Sequence, residues 1–343
     1  MMYRFTHDYS EGCHPAILQA ITNANTEGNF GYSTDTHCAH AVELVREAIG
    51  HPEADVHFLV GGTQVNATLI CAALRPHQAI IVTEQGHPCG HESGAIEATG
   101  HKCVTVPCAA DAKITPDAIR ACVAAHPNEH NVCPKLVYMS NTSEMGAIYT
   151  GDELRAISAV CKELGLYLYL DGARMASALA AGSASLKEIA DCCDAFTIGG
   201  TKNGAMFGEA LCIMNHDLND GFRCIMKQHG GMLAKGFLLG IQFETLFTDG
   251  LYEELGRHST DLAVQLRDGM RKLGVTFMAE SPSNQQFPIL PNTAIEALKN
   301  DFHWEVLGPV DADHTCIRLV TSWASKQESV DAWLSALAKA MNK

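Results

Sequence analysis

The chain has 343 residues, of which 47% are hydrophobic and 18% charged, which suits a large folded domain plus a smaller one and excludes a disordered protein. Its formal net charge of −15 argues against nucleic acid or an anionic membrane as a partner. The fourteen cysteines are scattered and form no CxxC pair, which favours reduced thiols over a disulfide framework.

The first residues predict an extended arm over 1–13, with no apolar signal segment. A helical pattern follows over Pro15–Asn25, and a polar loop around Tyr32 leads to a second helix that ends near Ile49. No run of 18 apolar residues occurs anywhere, so we expect a soluble, cytoplasmic protein.

From Val56 onward, short apolar runs alternate with helix-like stretches. The predicted strands lie near 56–60, 79–83, 102–107, 135–140, 166–170, 194–198 and 209–214, and the predicted helices near 63–74, 90–99, 115–125, 151–164 and 174–181. This βαβ rhythm predicts a mostly parallel sheet covered by helices, with functional sites at the carboxyl ends of the strands. The run Ala210–Met214 is a candidate for an added antiparallel strand.

The last third of the chain has a different pattern. Residues 217–273 predict long helices, and a smaller α+β unit follows from about 275. That unit has predicted strands near 286–290, 303–307 and 315–320, and predicted helices near 292–299 and 328–341. We therefore predict three parts: an N-terminal arm (1–13), a large α/β domain (14–250) and a small C-terminal α+β domain (251–343).

Lys202 is the most unusual residue of the large domain. The apolar run Ala195–Ile198 breaks into glycines, and this one lysine then stands among small residues. A desolvated lysine has a lowered pKa and more free amine, and a free amine condenses with aldehydes, as enzymes that use pyridoxal phosphate (PLP) require. A lysine that merely extends to solvent from a strand end is the alternative interpretation.

Asp171 ends the apolar run Leu166–Leu170, 31 residues before Lys202. The order strand–Asp, helix, strand–Lys brings both side chains to one edge of a sheet. There a carboxylate can pair with the pyridine nitrogen of PLP, and Arg174 is placed to bind a substrate carboxylate with two hydrogen bonds. A helix start capped by Asp171 is the structural alternative.

Two further features follow predicted strands. Gly61, Gly62 and Thr63 open a helix whose free amides are suited to a phosphate, although they also fit an ordinary tight turn. His87 follows the next strand, where an imidazole can stack on a pyridine ring or move a proton. A structural or surface histidine is the alternative.

These motifs together resemble the threonine aldolase group of the β-eliminating lyases, within the fold type I PLP enzymes related to aspartate aminotransferase. The carriers of the resemblance are residues 61–66, His87 with residues 92–95, residues 171–174, residues 201–204 and residues 317–321. The resemblance implies an α/β fold of that type and a catalytic set of Lys202, His87 and Asp171. It implies that Gly62, Thr63, His87, Asp171, Lys202 and Lys227 bind PLP, and that Arg174, Arg318, His7 and Tyr32 bind or adjoin the substrate.

The resemblance also implies a homodimer or homotetramer with shared active sites, in which Lys227 reaches a neighbour's phosphate. Two departures from the family pattern leave the substrate side chain and the β-carbon stereochemistry open. His7-Asp8 replaces Ser-Asp in the arm, and Asn141–Glu144 reads Asn-Thr-Ser-Glu where many relatives have Asn-Thr-His.

The reaction implied is PLP-dependent cleavage of L-threonine, L-allo-threonine or a related β-hydroxy-α-amino acid to glycine and an aldehyde. His87 is the first candidate for the base that takes the β-hydroxyl proton, and Glu144 and His91 are lesser ones. The nearest alternatives are a phenylserine or 3-hydroxyaspartate aldolase, or another PLP-dependent β-eliminating lyase. A non-catalytic binding protein is a more remote alternative, because it would not be expected to keep the pair of Lys202 and Asp171. A metal-dependent enzyme is also more remote, because His87 and His91 flank Pro88 and Gly90 and do not lie on a regular helix.

Overall fold

The structure is a computed structural model that describes residues 2–341. Its strands are β1 (Tyr3–Arg4), β2 (Asp55–Leu59), β3 (Gln78–Thr83), β4 (Lys102–Val106), β5 (Cys133–Ser140), β6 (Tyr167–Asp171), β7 (Ala195–Gly199), β8 (Glu209–Ile213), β9 (Thr276–Phe277), β10 (Gln285–Gln286), β11 (Pro288–Pro291), β12 (Phe302–His303), β13 (Glu305–Pro309) and β14 (His314–Val320). Its α-helices are α1 (Pro15–Ala24), α2 (Thr36–Ile49), α3 (Gly62–Ala73), α4 (His87–Gly90), α5 (Ala95–Ala98), α6 (Pro116–Ala124), α7 (Gly151–Leu164), α8 (Met175–Ala180), α9 (Leu186–Cys192), α10 (Phe222–Gln228), α11 (Phe237–Leu246), α12 (Leu251–Lys272), α13 (Asn292–Leu298) and α14 (Gln327–Met341).

A seven-stranded sheet carries the large part of the molecule, in the order β2-β8-β7-β6-β5-β3-β4. Strand β8 runs antiparallel to β7 and β2, and the other neighbouring pairs are parallel. The prediction of a mostly parallel sheet with one added antiparallel strand is therefore confirmed. Consecutive residues such as Ile80 and Ile81 enter opposite apolar cores, because side chains alternate across a strand and helices cover both faces.

A second sheet, β10-β14-β11-β9 with β13 on β14, forms the C-terminal unit. Its apolar core surrounds the fully buried Trp333 of α14. Helix α12 joins the two units: Tyr252, near its start, packs in the large core, and Leu266, near its end, packs in the small one. The three-part division of the chain stays a prediction.

The N-terminal arm connects the small unit to the large one. Strand β1 pairs with β12, and Phe5 packs in the same core as Trp333. Beyond Phe5 the arm runs back to the large unit, where Asp8 binds Arg174. A segment that the sequence predicts only as extended thus reaches the edge of the sheet where the predicted site residues lie.

Three helix predictions were wrong in detail. The helix predicted over 90–99 is divided into α4 and α5, because Ser93 and Gly94 take left-handed backbone angles (φ 52° and 74°). Helix α9 was not predicted, although Ser185 and Glu188 form a capping box at its start. Of the long helices expected over 217–273, α12 is long, with 22 residues, whereas the region before it is the short 3₁₀ turn His216–Asn219 followed by the shorter α10 and α11.

Candidate active site

A cavity of about 320 Å³ lies at the carboxyl ends of the parallel strands. Strand order explains its composition, since the segments that follow β2, β3, β5, β6 and β7 all meet at this edge. Its lining includes six of the residues that the sequence predicts for the site: Gly62, Thr63, His87, Asp171, Arg174 and Lys202. These six, spread over 141 positions of the chain, therefore share one cavity.

Lys202 lies in the turn between β7 and β8 and lines this cavity. Its Nζ atom is 6.0 Å from the ring centre of Tyr9, which also lines the cavity. Burial lowers the pKa of the Lys202 amine, and the nearby guanidinium of Arg174 lowers it further. The arrangement favours the free amine that reacts with an aldehyde.

Asp171 is buried at the end of β6 and is held by donors on both oxygens. Its Oδ2 accepts the hydroxyl of Tyr138 at 2.6 Å and the side-chain amide of Asn66 at 3.2 Å. Its Oδ1 accepts the backbone N–H of Ala173 at 3.0 Å. These contacts fix the carboxylate at the floor of the cavity, facing the space above it.

His87 is oriented by Glu92, the first residue of the motif 92–95, whose contact with the histidine was not predicted. Glu92 Oε1 lies 2.7 Å from His87 Nδ1 and accepts the side-chain amide of Asn66 at 2.7 Å. The hydrogen-bonded chain therefore runs from His87 through Glu92 and Asn66 to Asp171. Because Nδ1 is engaged with Glu92, Nε2 is the nitrogen left for the cavity.

Glu144 supports the same histidine from the other side. Its Oε1 accepts the backbone N–H of His87 at 3.0 Å and the hydroxyl of Ser140 at 2.8 Å. Burial raises the pKa of the Glu144 carboxyl. His91 lies with its ring centre 5.5 Å from that of His87 but is not part of the cavity lining.

The two predicted arginines have different surroundings. Arg174 donates to Asp8 from Nε at 2.7 Å and from Nη2 at 3.1 Å, so the arm occupies one edge of its guanidinium. Arg318 forms an ion pair with Glu305, and its buried Nε has no hydrogen-bond partner among the described residues. Arg318 is not among the residues that line the cavity. Burial lowers the pKa of its guanidinium, and the nearby charge of Arg174 lowers it further.

Besides Arg318, three predicted residues lie outside the cavity lining: Lys227, Tyr32 and His7. The Nζ atom of Lys227 is 4.5 Å from the ring centre of Tyr32, and both residues are exposed. The ring of His7 stacks on Tyr9 at 4.1 Å, so His7 adjoins the site through a residue that lines it.

Sequence reasoning missed Asn66 as a partner of Asp171, as well as Tyr138 and Glu209. Glu209 is a buried carboxyl at the start of β8 that also lines the cavity. A signal was present for two of the three: Tyr138 lies two positions before the end of β5, and Glu209 is the one charged residue of an otherwise apolar strand.

PLP fits the residues present. Helix α3 begins at Gly62 with no side-chain cap, so the amides of its first turn are free. A Cβ atom added at Gly61 or Gly62 would meet nothing within 4 Å. The space over these amides therefore has room for a phosphate. Two buried atoms of the lining, Glu92 Oε2 and Thr142 Oγ1, have no partner among the described residues. Lys202 and Asp171 supply the amine and the carboxylate that the aldehyde and the pyridine nitrogen need.

Residues 2–341 contain neither a candidate metal site nor a candidate membrane-spanning helix. No group of three or more His, Cys, Asp or Glu side chains there is arranged to hold a metal ion. None of the helices in that range combines the length and the apolar character needed to cross a bilayer.

Comparison with known proteins gives concordant matches. The model of the family described as beta-eliminating lyase matches residues 7–303. A low specificity L-threonine aldolase of Pseudomonas aeruginosa is 31% identical over 301 residues, which is 86% of each chain. The structure of a threonine aldolase of Leishmania major superposes with a TM-score of 0.97 at 48% identity, covering 99% of both chains.

A more distant structure bears on the fold alone. An aspartate aminotransferase of Thermus thermophilus superposes with a TM-score of 0.71 at 16% identity, covering 99% of this chain and 91% of that one. The fold is therefore that of the fold type I PLP enzymes, as the sequence predicted.

Proposed function

Because the chain belongs to the beta-eliminating lyase family and is a PLP-dependent lyase, we propose that it cleaves L-threonine or L-allo-threonine to glycine and acetaldehyde. The alternative substrate is a related β-hydroxy-α-amino acid, which gives glycine and the matching aldehyde. One observation carries the proposal: the amine of Lys202 and the carboxylate of Asp171 line the same cavity. The names of the relatives support threonine as the substrate.

When bound, PLP supplies a ring that accepts the electron pair of the broken Cα–Cβ bond. Lys202 would hold it through Nζ, and Asp171 would accept the hydrogen bond of the pyridine nitrogen. The amides of Gly62 and Thr63, at the start of α3, would bind the phosphate.

Arg174 and Arg318 orient the substrate. Arg174 lines the cavity but is bound by Asp8 at Nε and Nη2, and the buried Nε of Arg318 has no partner among the described residues, so we assign the substrate carboxylate to the two arginines together. Arg174, which lines the cavity, contributes a positive charge that Asp8 holds in place. A substrate carboxylate held in this way would fix the orientation of the Cα–Cβ bond, as its cleavage requires.

Arg318→Leu is expected to raise KM for the amino acid by about 10- to 150-fold, since a hydrogen bond to a charged group is worth about 1.5–3 kcal/mol. The affinity for PLP, measured by fluorescence titration, should change much less. Arg155→Leu, which removes an exposed ion pair on α7, serves as the control. An equal loss of PLP and amino-acid affinity in Arg318→Leu would contradict the assignment.

His87 is proposed to take the β-hydroxyl proton at Nε2, directly or through a water, because Glu92 holds Nδ1. His87→Asn is expected to lower kcat by about 10²–10⁴-fold, the usual worth of general-base help. Glycine formation by stopped assay measures the loss, with the exposed His130→Asn as the matched control. A His87→Asn enzyme of full rate would remove the residue from this role and leave Glu144 and His91 as candidates.

A second copy of the chain is proposed to complete each site, in a homodimer or homotetramer. Lys227 and Tyr32 lie outside the cavity of their own chain, and the neighbouring Phe30 is 78% exposed. A basic residue beside exposed aromatic rings suits contact with a partner's anionic cofactor. An active monomer in light scattering would rule the proposal out.

A substrate panel tests the proposed reaction. Purified protein with PLP is given L-threonine, L-allo-threonine, phenylserine, 3-hydroxyaspartate and a cysteine thioether, and glycine, aldehydes and pyruvate are measured. Glycine with acetaldehyde from threonine is the expected result. Glycine only from phenylserine or 3-hydroxyaspartate would assign one of those aldolase activities, and pyruvate without glycine would assign a carbon–sulfur lyase.

A cytoplasmic location is proposed from the thiols. All fourteen cysteines are free, and several are buried in apolar surroundings, as in a protein kept in a reducing compartment. Disulfides found after rapid alkylation in cells would contradict it.

A further inference from the structure

Three consecutive side-chain amides, those of Asn284, Gln285 and Gln286, are buried, with 3%, 0% and 1% of the residue surface exposed. They lie in the small unit at or next to β10. An amide loses its hydrogen bonds to water on burial, and this loss destabilises the fold unless partners in the protein replace them. The partners of these three amides therefore indicate what each one does.

Asn284 connects this segment to the arm and to the large unit. Its Nδ2 donates to Asp8 Oδ2 at 2.9 Å and to the carbonyl of Thr321 at 2.8 Å. Its backbone N–H donates to the hydroxyl of Ser177, on α8, at 2.9 Å. The same Asp8 carboxylate binds Arg174. Asn284 is therefore fixed relative to Arg174 through one intervening carboxylate.

Gln285 reaches the second arginine. It pairs with Val320 of β14, so its side chain lies on the same face of the sheet as Val320 and as Arg318, two positions earlier. Gln285 Oε1 accepts the Nη1 N–H of Arg318 at 3.3 Å. A guanidinium has only donors, so the oxygen of the amide must be the atom that faces it. Glu305, on the opposite flank of β14, pairs with Nη2, and the guanidinium is thus held from both sides.

Fold stability does not explain a glutamine at position 285. Its buried Nε2 has no hydrogen-bond partner among the described residues. An apolar side chain of the same length would avoid this unpaired N–H. Gln286, by contrast, donates from Nε2 to the carbonyls of Ser281 and Ser283 at 3.2 and 2.9 Å and so fixes the preceding loop. The contact that explains Gln285 is the one with Arg318.

We propose that Gln285 is a positioning residue that holds the guanidinium of Arg318 in a fixed place relative to Arg174, so that both arginines meet one substrate carboxylate. The inference rests on the proposed function, in which the two arginines share that carboxylate. Gln285 follows directly on Asn284, which binds the carboxylate that holds Arg174. One short segment thus sets the spacing of the two guanidinium groups.

The test is a titration of the PLP-loaded protein with glycine, followed by the change in visible absorbance. Gln285→Met removes the acceptor at nearly constant volume and should raise Kd for glycine about 3- to 10-fold, the usual effect of losing one hydrogen bond. Methylamine, which is glycine without its carboxylate, should bind this variant and the wild type alike. Gln286→Met, the matched control, should keep the wild-type Kd for both ligands, because the Gln286 amide binds backbone carbonyls and neither arginine.

A double variant separates positioning from a merely structural role. Once Arg318→Leu has removed the guanidinium, Gln285→Met should change Kd for glycine by less than about twofold, because the group that it positions is gone. Three results would overturn the proposal: an unchanged Kd for glycine in Gln285→Met, an equal loss of methylamine binding, or full additivity with Arg318→Leu.

Thermal melts show whether each variant is folded. Should Gln285→Met not fold, Gln285→Asn provides the same readout, because it keeps the amide but withdraws it from the guanidinium by one methylene. A Kd for glycine equal to that of the wild type would again overturn the proposal. The proposed function fails separately, if the wild-type protein forms no glycine from any β-hydroxy-α-amino acid, since the binding titrations need no turnover.

Discussion

Replacing Lys202 with alanine is expected to abolish the visible absorbance of the PLP-loaded protein and to reduce glycine formation by more than about 10³-fold. Proton transfer alone is typically worth about 10²–10⁴-fold, and the variant also loses the covalent attachment. Lys202 is the one lysine among the described residues that line the cavity, so no neighbouring amine is placed to replace it. Spectra after gel filtration with added PLP, and a single-turnover assay, measure the two effects.

Two controls separate the amine from its charge. Lys202→Arg keeps a cation in the same turn, but a guanidinium does not condense with the aldehyde, so it should lack the absorbance as well. Lys272→Ala removes an exposed lysine from the last turn of α12 and should keep both spectrum and rate. An unchanged spectrum in Lys202→Ala would show that another group binds the cofactor, and the assignment of the site would fail.

The position of this lysine could be predicted because it depends on local signals. Apolar runs that end in Asp171 and in the glycines before Lys202 mark strand ends, and parallel strands bring such ends together whatever lies between them. The same reasoning placed Gly62, Thr63 and His87 in the cavity. For these residues, strand order alone is enough to determine the location.

The contacts that orient the site could not be predicted in the same way. Asn66 meets Asp171 across 105 positions, and Asp8 meets Arg174 across 166. No periodicity in the sequence relates such pairs, since they depend on how the arm and the helices pack. The guanidinium of Arg174, predicted to bind a substrate carboxylate with two hydrogen bonds, is for this reason partly occupied by Asp8 in the structure.

The division of the predicted helix over 90–99 has a similar origin. Glu92 is drawn inward by His87 and Asn66, and Ser93 and Gly94 adopt left-handed angles to allow it. A regular helix at this point would carry the Glu92 carboxylate away from the histidine. The local pattern favours a helix, and the long-range hydrogen bonds prevent it.

The second large effect is expected for Asp171→Asn. The amide has the shape of the carboxylate but no charge, so it no longer stabilises a protonated pyridine nitrogen, and the ring becomes a weaker acceptor of electrons. Losing one such fixed electrostatic contact costs about 10²–10³-fold in kcat. Because Lys202 is intact, the variant should retain its visible absorbance, in contrast to Lys202→Ala.

Tyr138→Phe is the matched control for Asp171→Asn. It removes the 2.6 Å hydrogen bond to Oδ2 but leaves the carboxylate with Asn66 and Ala173 as donors. Since the charge remains, the fall in kcat should be clearly smaller than in the Asn variant, and thermal melts of both proteins exclude unfolding as the cause. If Asp171→Asn keeps the wild-type kcat, or if Tyr138→Phe loses as much, the charge at position 171 is not what activates the ring, and the pairing of Asp171 with the pyridine nitrogen must be abandoned.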